Sequence, residues 1–188
     1  MPPKNKFSKE QIIDAAFLIA KSEGLDNISM RKIAEKIGSS VAPIYVNFDN
    51  VDELKSAVVK KLVDISKEIL EEQNSGQPFL DIGIASLLVA KEYKALFVDL
   101  TMKPNSYAEQ YNQQMEKDLI ARIKMDPVLE GFSQAEMMSI LLKMKIFQTG
   151  LSIMVANQLL PEEFTEEQLI YLLQSTGNDI ISSTRKQK

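Results

Sequence analysis

The chain contains no cysteine, no histidine and no tryptophan. Their absence removes disulfides, thiol nucleophiles, Cys/His zinc sites and imidazole acid–base catalysis at once. A serine or threonine nucleophile would need another base, and no such arrangement stands out. An enzyme is therefore disfavoured, and neither a metal nor a cofactor is expected. Glycine and proline are scarce, at seven each in 188 residues, and β-branched runs are short. The first ten residues, MPPKNKFSKE, are too polar for a secretory leader. The longest apolar run, residues 82–90, falls far short of the ~20 residues that span a bilayer. No membrane partner is expected, and a cytoplasmic location is.

What is present is an ordinary folding composition, 45% hydrophobic and 26% charged. Apolar residues recur at spacings of three and four, which predicts an all-α protein. The net charge of −4 is unevenly spread. Residues 1–61 carry ten Lys/Arg against eight Asp/Glu, and residues 62–188 carry twelve against eighteen. A basic front end on an acidic body suits a small nucleic-acid module joined to a larger, non-binding one.

The front end is well punctuated. Ser8 and Gln11 form a capping box, with Phe7 and Ile12 placed as a hydrophobic staple. Ile12, Ile13, Ala16, Phe17 and Ala20 make the buried stripe, and Gly24 closes the helix. Ser29 caps a second helix whose Met30, Ile33, Ala34 and Ile37 face inward. Gly38 ends it, and Ser39 or Ser40 starts a short third helix. Pro43 falls within the first turn, where its missing N–H would have had no intrahelical partner. Tyr45 and Phe48 follow at a spacing of three, with Phe48 expected inward and the Tyr45 hydroxyl outward. Asn50 caps a fourth helix, with Glu53 at the capping-box position, running to about Glu72 and roughly 35 Å long. Two short helices around a Gly-Ser-Ser turn, held by flanking helices, spell a helix-turn-helix.

Residues of about 6–66 resemble the DNA-binding domain of the TetR/AcrR family of bacterial repressors. The likeness runs through Ile12-Ile13-Asp14-Ala15-Ala16, Gly24, Ser29-Met30-Arg31-Lys32-Ile33-Ala34, Gly38, Pro43-Ile44-Tyr45, Phe48 and Leu54. It implies a DNA-binding domain of residues 1–50, with the start of the linking helix belonging to the family-type domain. It also implies an effector-binding and dimerisation domain of residues 51–188. Such a dimer would place each third helix in the major groove of double-stranded DNA. Where family members often carry a basic or polar residue early in that helix, this chain has Val41 and Ala42, and Pro43 stands where many have Thr. Contact with thymine methyl groups is then the more natural readout, on a two-fold symmetric operator containing A/T. Phosphate contacts are expected from Ser29, Ser40, Tyr45, Asn47, Lys55 and the tail residues Lys4 and Lys6.

Beyond residue 70 the likeness is one of architecture. Breaks at residues 73–78, 103–105, 126–131 and 161–163 separate helices at about 79–91, 93–102, 105–125, 133–159 and 165–183. The body is rich in Met and aromatic residues that suit either a core or an adaptable apolar pocket. Phe97, Met102, Tyr111, Met115, Met144 and Phe147 are the candidates to contact a lipophilic small-molecule effector. Asp99, Lys143 and Lys145 are the charges most embedded among apolar neighbours. Residues 147–160 and the last helix resemble the family's dimerisation hairpin, which nominates Gly150, Ile153, Met154, Leu169, Leu172 and Leu173 for a homodimer. The expected function is a ligand-responsive repressor whose effector releases DNA. The alternative is a non-enzymatic small-molecule or protein-binding module on the same scaffold, without specific DNA recognition.

Overall fold

In the computed structural model, residues 7–104, 106–107, 109–161 and 163–186 are described, without the side chains of residues 110, 112–114 and 116. Lys4 and Lys6 lie outside the described residues. The described residues form α-helices and short 3₁₀ turns, with no strand among them. The helices are α1 (Lys9–Glu23), α2 (Met30–Lys36), α3 (Ala42–Asn47), α4 (Val51–Glu72) and α5 (Pro78–Glu92). They continue as α6 (Lys94–Met102), α7 (Glu109–Ile123), α8 (Gln134–Ala156) and α9 (Glu166–Arg185).

Local hydrogen-bond chemistry fixes where these helices begin. Ser8 and Gln11 make the capping box of α1, Ser133 and Glu136 that of α8, and Thr165 and Gln168 that of α9. The Ser29 hydroxyl accepts from the Lys32 amide at the start of α2. At α4 the expected box is altered. Asn50 accepts the Glu53 amide at 2.9 Å, but the Glu53 carboxylate takes the Asp49 N–H, also at 2.9 Å, rather than that of Asn50.

Two compact units result, and they do not follow the division at residue 50. The first joins the described residues up to Ile65 with Tyr93–Asn112. Ile12, Ala16, Ile33, Ile44, Leu54, Val58 and Leu96 are fully buried in it. Burying each Ile, Leu or Val side chain among them contributes roughly 1.5–3 kcal/mol. Because α6 packs on α1 and on the 3₁₀ turn Leu25–Asn27, a segment distant in sequence becomes part of the helix-turn-helix unit.

The second unit comprises Ser66–Glu92 and the residues from Gln113 onward. In it α5, α8 and α9 pack on one another. One apolar cluster centres on Leu87, Met144, Leu151 and Leu173, another on Ile123, Leu129, Ile140 and Ile181. Buried Asp126 ties the connection after α7 to the start of α5, accepting the Val128 and Phe79 amides at 3.0 Å each.

Candidate nucleic-acid interface

The turn between α2 and α3 is closed by its backbone. Ser39 N–H donates to the Ala34 carbonyl at 2.9 Å and Gly38 N–H to that of Glu35 at 3.2 Å. Gly38 takes a left-handed φ of 65°, a conformation that a Cβ would strain. The third helix starts later than expected. Neither Ser39 nor Ser40 caps it; Val41 precedes its first residue, Ala42, with no side-chain cap bond. Pro43 sits in the first turn, where a fixed φ and a missing N–H cost nothing, and it thereby selects this start.

The faces of α3 are sharply divided. Ile44 and Phe48 are 0% and 1% exposed, and the Lys9 ammonium lies 4.7 Å from the Phe48 ring centroid. At ~100° per residue, Ala42 and Val46 stand diametrically opposite Ile44. Tyr45 is 56% exposed and Val46 67%, whereas Val41, nearer the anchored side, is 39% exposed. Asn47 is half-buried, and its side-chain amide donates back to the Pro43 carbonyl at 2.8 Å. That bond commits the amide nitrogen locally, which narrows the phosphate role expected of Asn47. Val46 was not among the expected contacts. Its signal in the sequence is the spacing of four from Ala42, opposite the Ile44–Phe48 pair.

Ser29, Ser40 and Tyr45 are exposed, and Lys55 is half-buried. The Ser29 oxygen accepts the Lys32 amide at 3.2 Å while its O–H can still donate outward.

The same unit holds a buried carboxylate whose partner is the backbone. Asp99 of α6 accepts the Leu25 N–H at 2.7 Å. Its other oxygen pairs with Lys103 at 2.7 Å, and Lys103 reaches Asp26 at 2.7 Å as well. The Lys103 hydrogen bond holds the Asp26 carboxyl below its usual range. Reciprocally, the Asp26 and Asp99 hydrogen bonds push the Lys103 ammonium up. Gly24, with φ 91°, lies against this carboxylate: a Cβ there would stand 2.5 Å from Asp99 Oδ2. Nearby, the Tyr107 hydroxyl donates to Asp52 Oδ1 at 2.7 Å, and this bond pushes the phenol up to about 12. The Glu53 carboxyl is held low by the Asp49 N–H. Residues of α6 and of the segment after it thus grip the turn that leads into α2 and the first turn of α4. Asp99, read in the sequence as a charge embedded in apolar surroundings, is bound to the helix-turn-helix. Lys143 and Lys145 are exposed.

The six effector candidates are not gathered within one unit. Phe97, Met102 and Tyr111 belong to the first, and Met115, Met144 and Phe147 to the second. Met102 is 59% exposed, while Met144 and Phe147 pack in the Leu87–Leu173 cluster. In the second unit a cavity of about 30 Å³ is lined by Phe79, Asp126, Met144, Leu173 and Gly177, among others. It is the size of a water site rather than of a lipophilic ligand. Leu173 needs a correction as a dimer contact: at 2% exposed it faces its own core, with no surface left for a partner. Leu169 and Leu172 pack partly on the same cluster. Met154 and Gly150 are exposed and Ile153 is half-buried.

An all-helical chain that presents a short, anchored third helix after a tight turn is built as a helix-turn-helix DNA-binding protein. Comparison with known proteins agrees. Residues 12–58 match the model of the bacterial regulatory proteins, tetR family. An HTH-type transcriptional regulator of Staphylococcus aureus (strain MRSA252) is 24% identical over 146 residues, covering 68% of this chain and 79% of the relative. The nicotine-responsive repressor HdnoR of Paenarthrobacter nicotinovorans is 36% identical over 55 residues, 29% of this chain and 28% of its own. For the fold, a transcriptional regulator from Rhodococcus superposes with a TM-score of 0.71 at 21% identity, covering 94% of this chain and 97% of that one. Residues 12–58 thus carry a DNA-binding segment like that of the tetR family of bacterial regulatory proteins, and the longer likeness is to transcriptional regulators.

Proposed function

We propose that the chain is a ligand-responsive repressor that binds a two-fold symmetric, A/T-containing operator as a homodimer and leaves it when an effector occupies the helical body. The observation that carries the DNA-binding half is the outward face of α3. Tyr45 and Val46 stand largely in solvent, on a helix whose opposite face is fully anchored. Ser29, Ser40, Tyr45 and Lys55 are the described members of the expected phosphate contacts that remain available.

The dimer is supported by α8. This 23-residue helix has a mean hydropathy of 1.3 in its most apolar window, of which 22% is buried. Met138, Leu142 and Ile146, at helical spacing, are 53%, 60% and 66% exposed, and Met154 is 39% exposed. A Cβ at Gly150 would meet nothing within 4 Å, so close packing inside the protomer does not explain that glycine. By length and composition α8 could cross a membrane. Lys143 and Lys145 in its middle make that costly, whereas a second copy can cover the apolar row with the two lysines flanking it and their ammonium groups reaching water. A regulator of this kind works where the DNA is, in the cytoplasm.

The effector is lipophilic in this reading, set among the Met and aromatic residues of the body. HdnoR answers to nicotine, but its likeness to this chain is confined to 55 residues and does not extend to an effector site. Binding of fluorescent duplexes by the full chain at increasing salt tests the proposal. Steep salt dependence with preference for one duplex over another supports it. Flat salt dependence without discrimination favours a binding module that does not read DNA.

A further inference from the structure

We infer that Val46 is the principal specificity-determining residue of α3, and that it reads the C5-methyl group of a thymine in each half-site. The inference rests on the DNA-binding reading above. Its starting point is what α3 lacks. From Ala42 to Asn47 it holds no Lys, Arg, Gln, Asp or Glu, so the bidentate hydrogen-bond patterns that distinguish guanine and adenine are not available. The residue able to make such a pattern, Asn47, is half-buried with its amide nitrogen donated to the Pro43 carbonyl at 2.8 Å.

The geometry then singles out one ridge. Ile44 and Phe48 fix the inward side at 0% and 1% exposure. The points farthest from it, one turn apart, are Ala42 and Val46, flanked by Tyr45. Ala42 is a single methyl, and Val46, at 67% exposure, is the larger and more protruding group. Val41 lies closer to the anchored side. Two branched methyls at the tip of a recognition helix offer dispersion and water exclusion but no donor or acceptor. In the major groove the matching feature of an unmodified base pair is the thymine methyl. Cytosine offers a polar amino group in the same region, which a valine would desolvate without compensation. Val46 therefore both favours thymine and disfavours cytosine at its position.

The test uses duplexes selected from a random pool with the full native chain. Each thymine of the selected half-site is replaced in turn by deoxyuridine, which deletes the methyl and leaves base pairing unchanged. Binding is measured for the native protein and for Val46→Ala, with circular dichroism confirming that the exposed substitution leaves the fold intact. At one thymine per half-site the native protein should lose about fourfold in affinity, the value of one buried methyl. Val46→Ala should bind the thymine duplex more weakly and show no further loss with uracil there. Uracil that is neutral at every position, or that weakens both proteins equally, overturns the inference while leaving sequence-specific binding in place. Failure to retain any duplex from the pool overturns the DNA-binding reading and this inference with it.

Discussion

Replacing Gly24 with Ala probes the contact between α6 and the helix-turn-helix. Two separate penalties apply. Gly24 sits at φ 91° and ψ 167°, a region nearly closed to residues with a Cβ, which costs about 1–3 kcal/mol. The new Cβ would also stand 2.5 Å from Asp99 Oδ2 and push the carboxylate off the Leu25 N–H. A hydrogen bond to a charged group contributes about 1.5–3 kcal/mol. Together these give a loss of roughly 2.5–6 kcal/mol, or a melting point lower by roughly 5–20 °C for a chain of this size. Gly38→Ala is the control, since at φ 65° it meets no atom within 4 Å and should cost only the backbone strain of ~1–2 kcal/mol. Asp99→Ala leaves the buried Leu25 N–H without its acceptor, at about 1–3 kcal/mol. In the double variant Gly24→Ala/Asp99→Ala the clash is gone and the bond already lost. The double should therefore fall short of the sum of the singles by about 1.5–3 kcal/mol. Urea and thermal unfolding followed by circular dichroism measure all four variants. Strict additivity, or a Gly24→Ala no worse than Gly38→Ala, would refute the argument.

Ile44→Ala empties a fully buried site beneath the recognition helix and should cost about 2–5 kcal/mol, abolishing duplex binding at temperatures where the second unit is still helical. Ile146→Glu places a charge on the exposed apolar row of α8; sedimentation should show a folded monomer with weakened duplex binding, and an unchanged dimer would remove this face from the account. Tyr107 titrates near ~10 in an unfolded chain but at about 12 in the folded one, so the folded state holds this proton more tightly. Its contribution is complete below pH ~10 and is lost as pH rises toward about 12. Tyr107→Phe should lack that component of alkaline destabilisation, as unfolding midpoints across this range would show.

Much of the fold was legible because helix starts are written locally. The boxes at Ser8 and Gln11 and the caps at Ser29 and Asn50 need only a few neighbouring residues. The last five helices also begin and end within four residues of where periodicity placed them. The start of α3 was misread because two serines advertise a cap, while Pro43, a tertiary-neutral constraint on φ, decides the matter. Val46 was missed because outward apolar residues look unremarkable in one dimension; only the burial of Ile44 and Phe48 defines which side faces out. Asp99 lay further from reach. Its partner, the Leu25 N–H, is 74 residues away, and no periodicity pairs a side chain with a distant backbone amide. Leu173 shares its apolar character with surface and core positions alike, so helical spacing alone did not separate exposed positions from the interior.

The central claim is that α3 reads DNA from a symmetric dimer, and selection from random duplexes with the full chain tests it most directly. Two-fold symmetric sites with A/T-bearing half-sites, their centres one helical turn of about 34 Å or a multiple apart, are the expected recovery. Asymmetric sites alone, or no enrichment at any salt concentration, would contradict it.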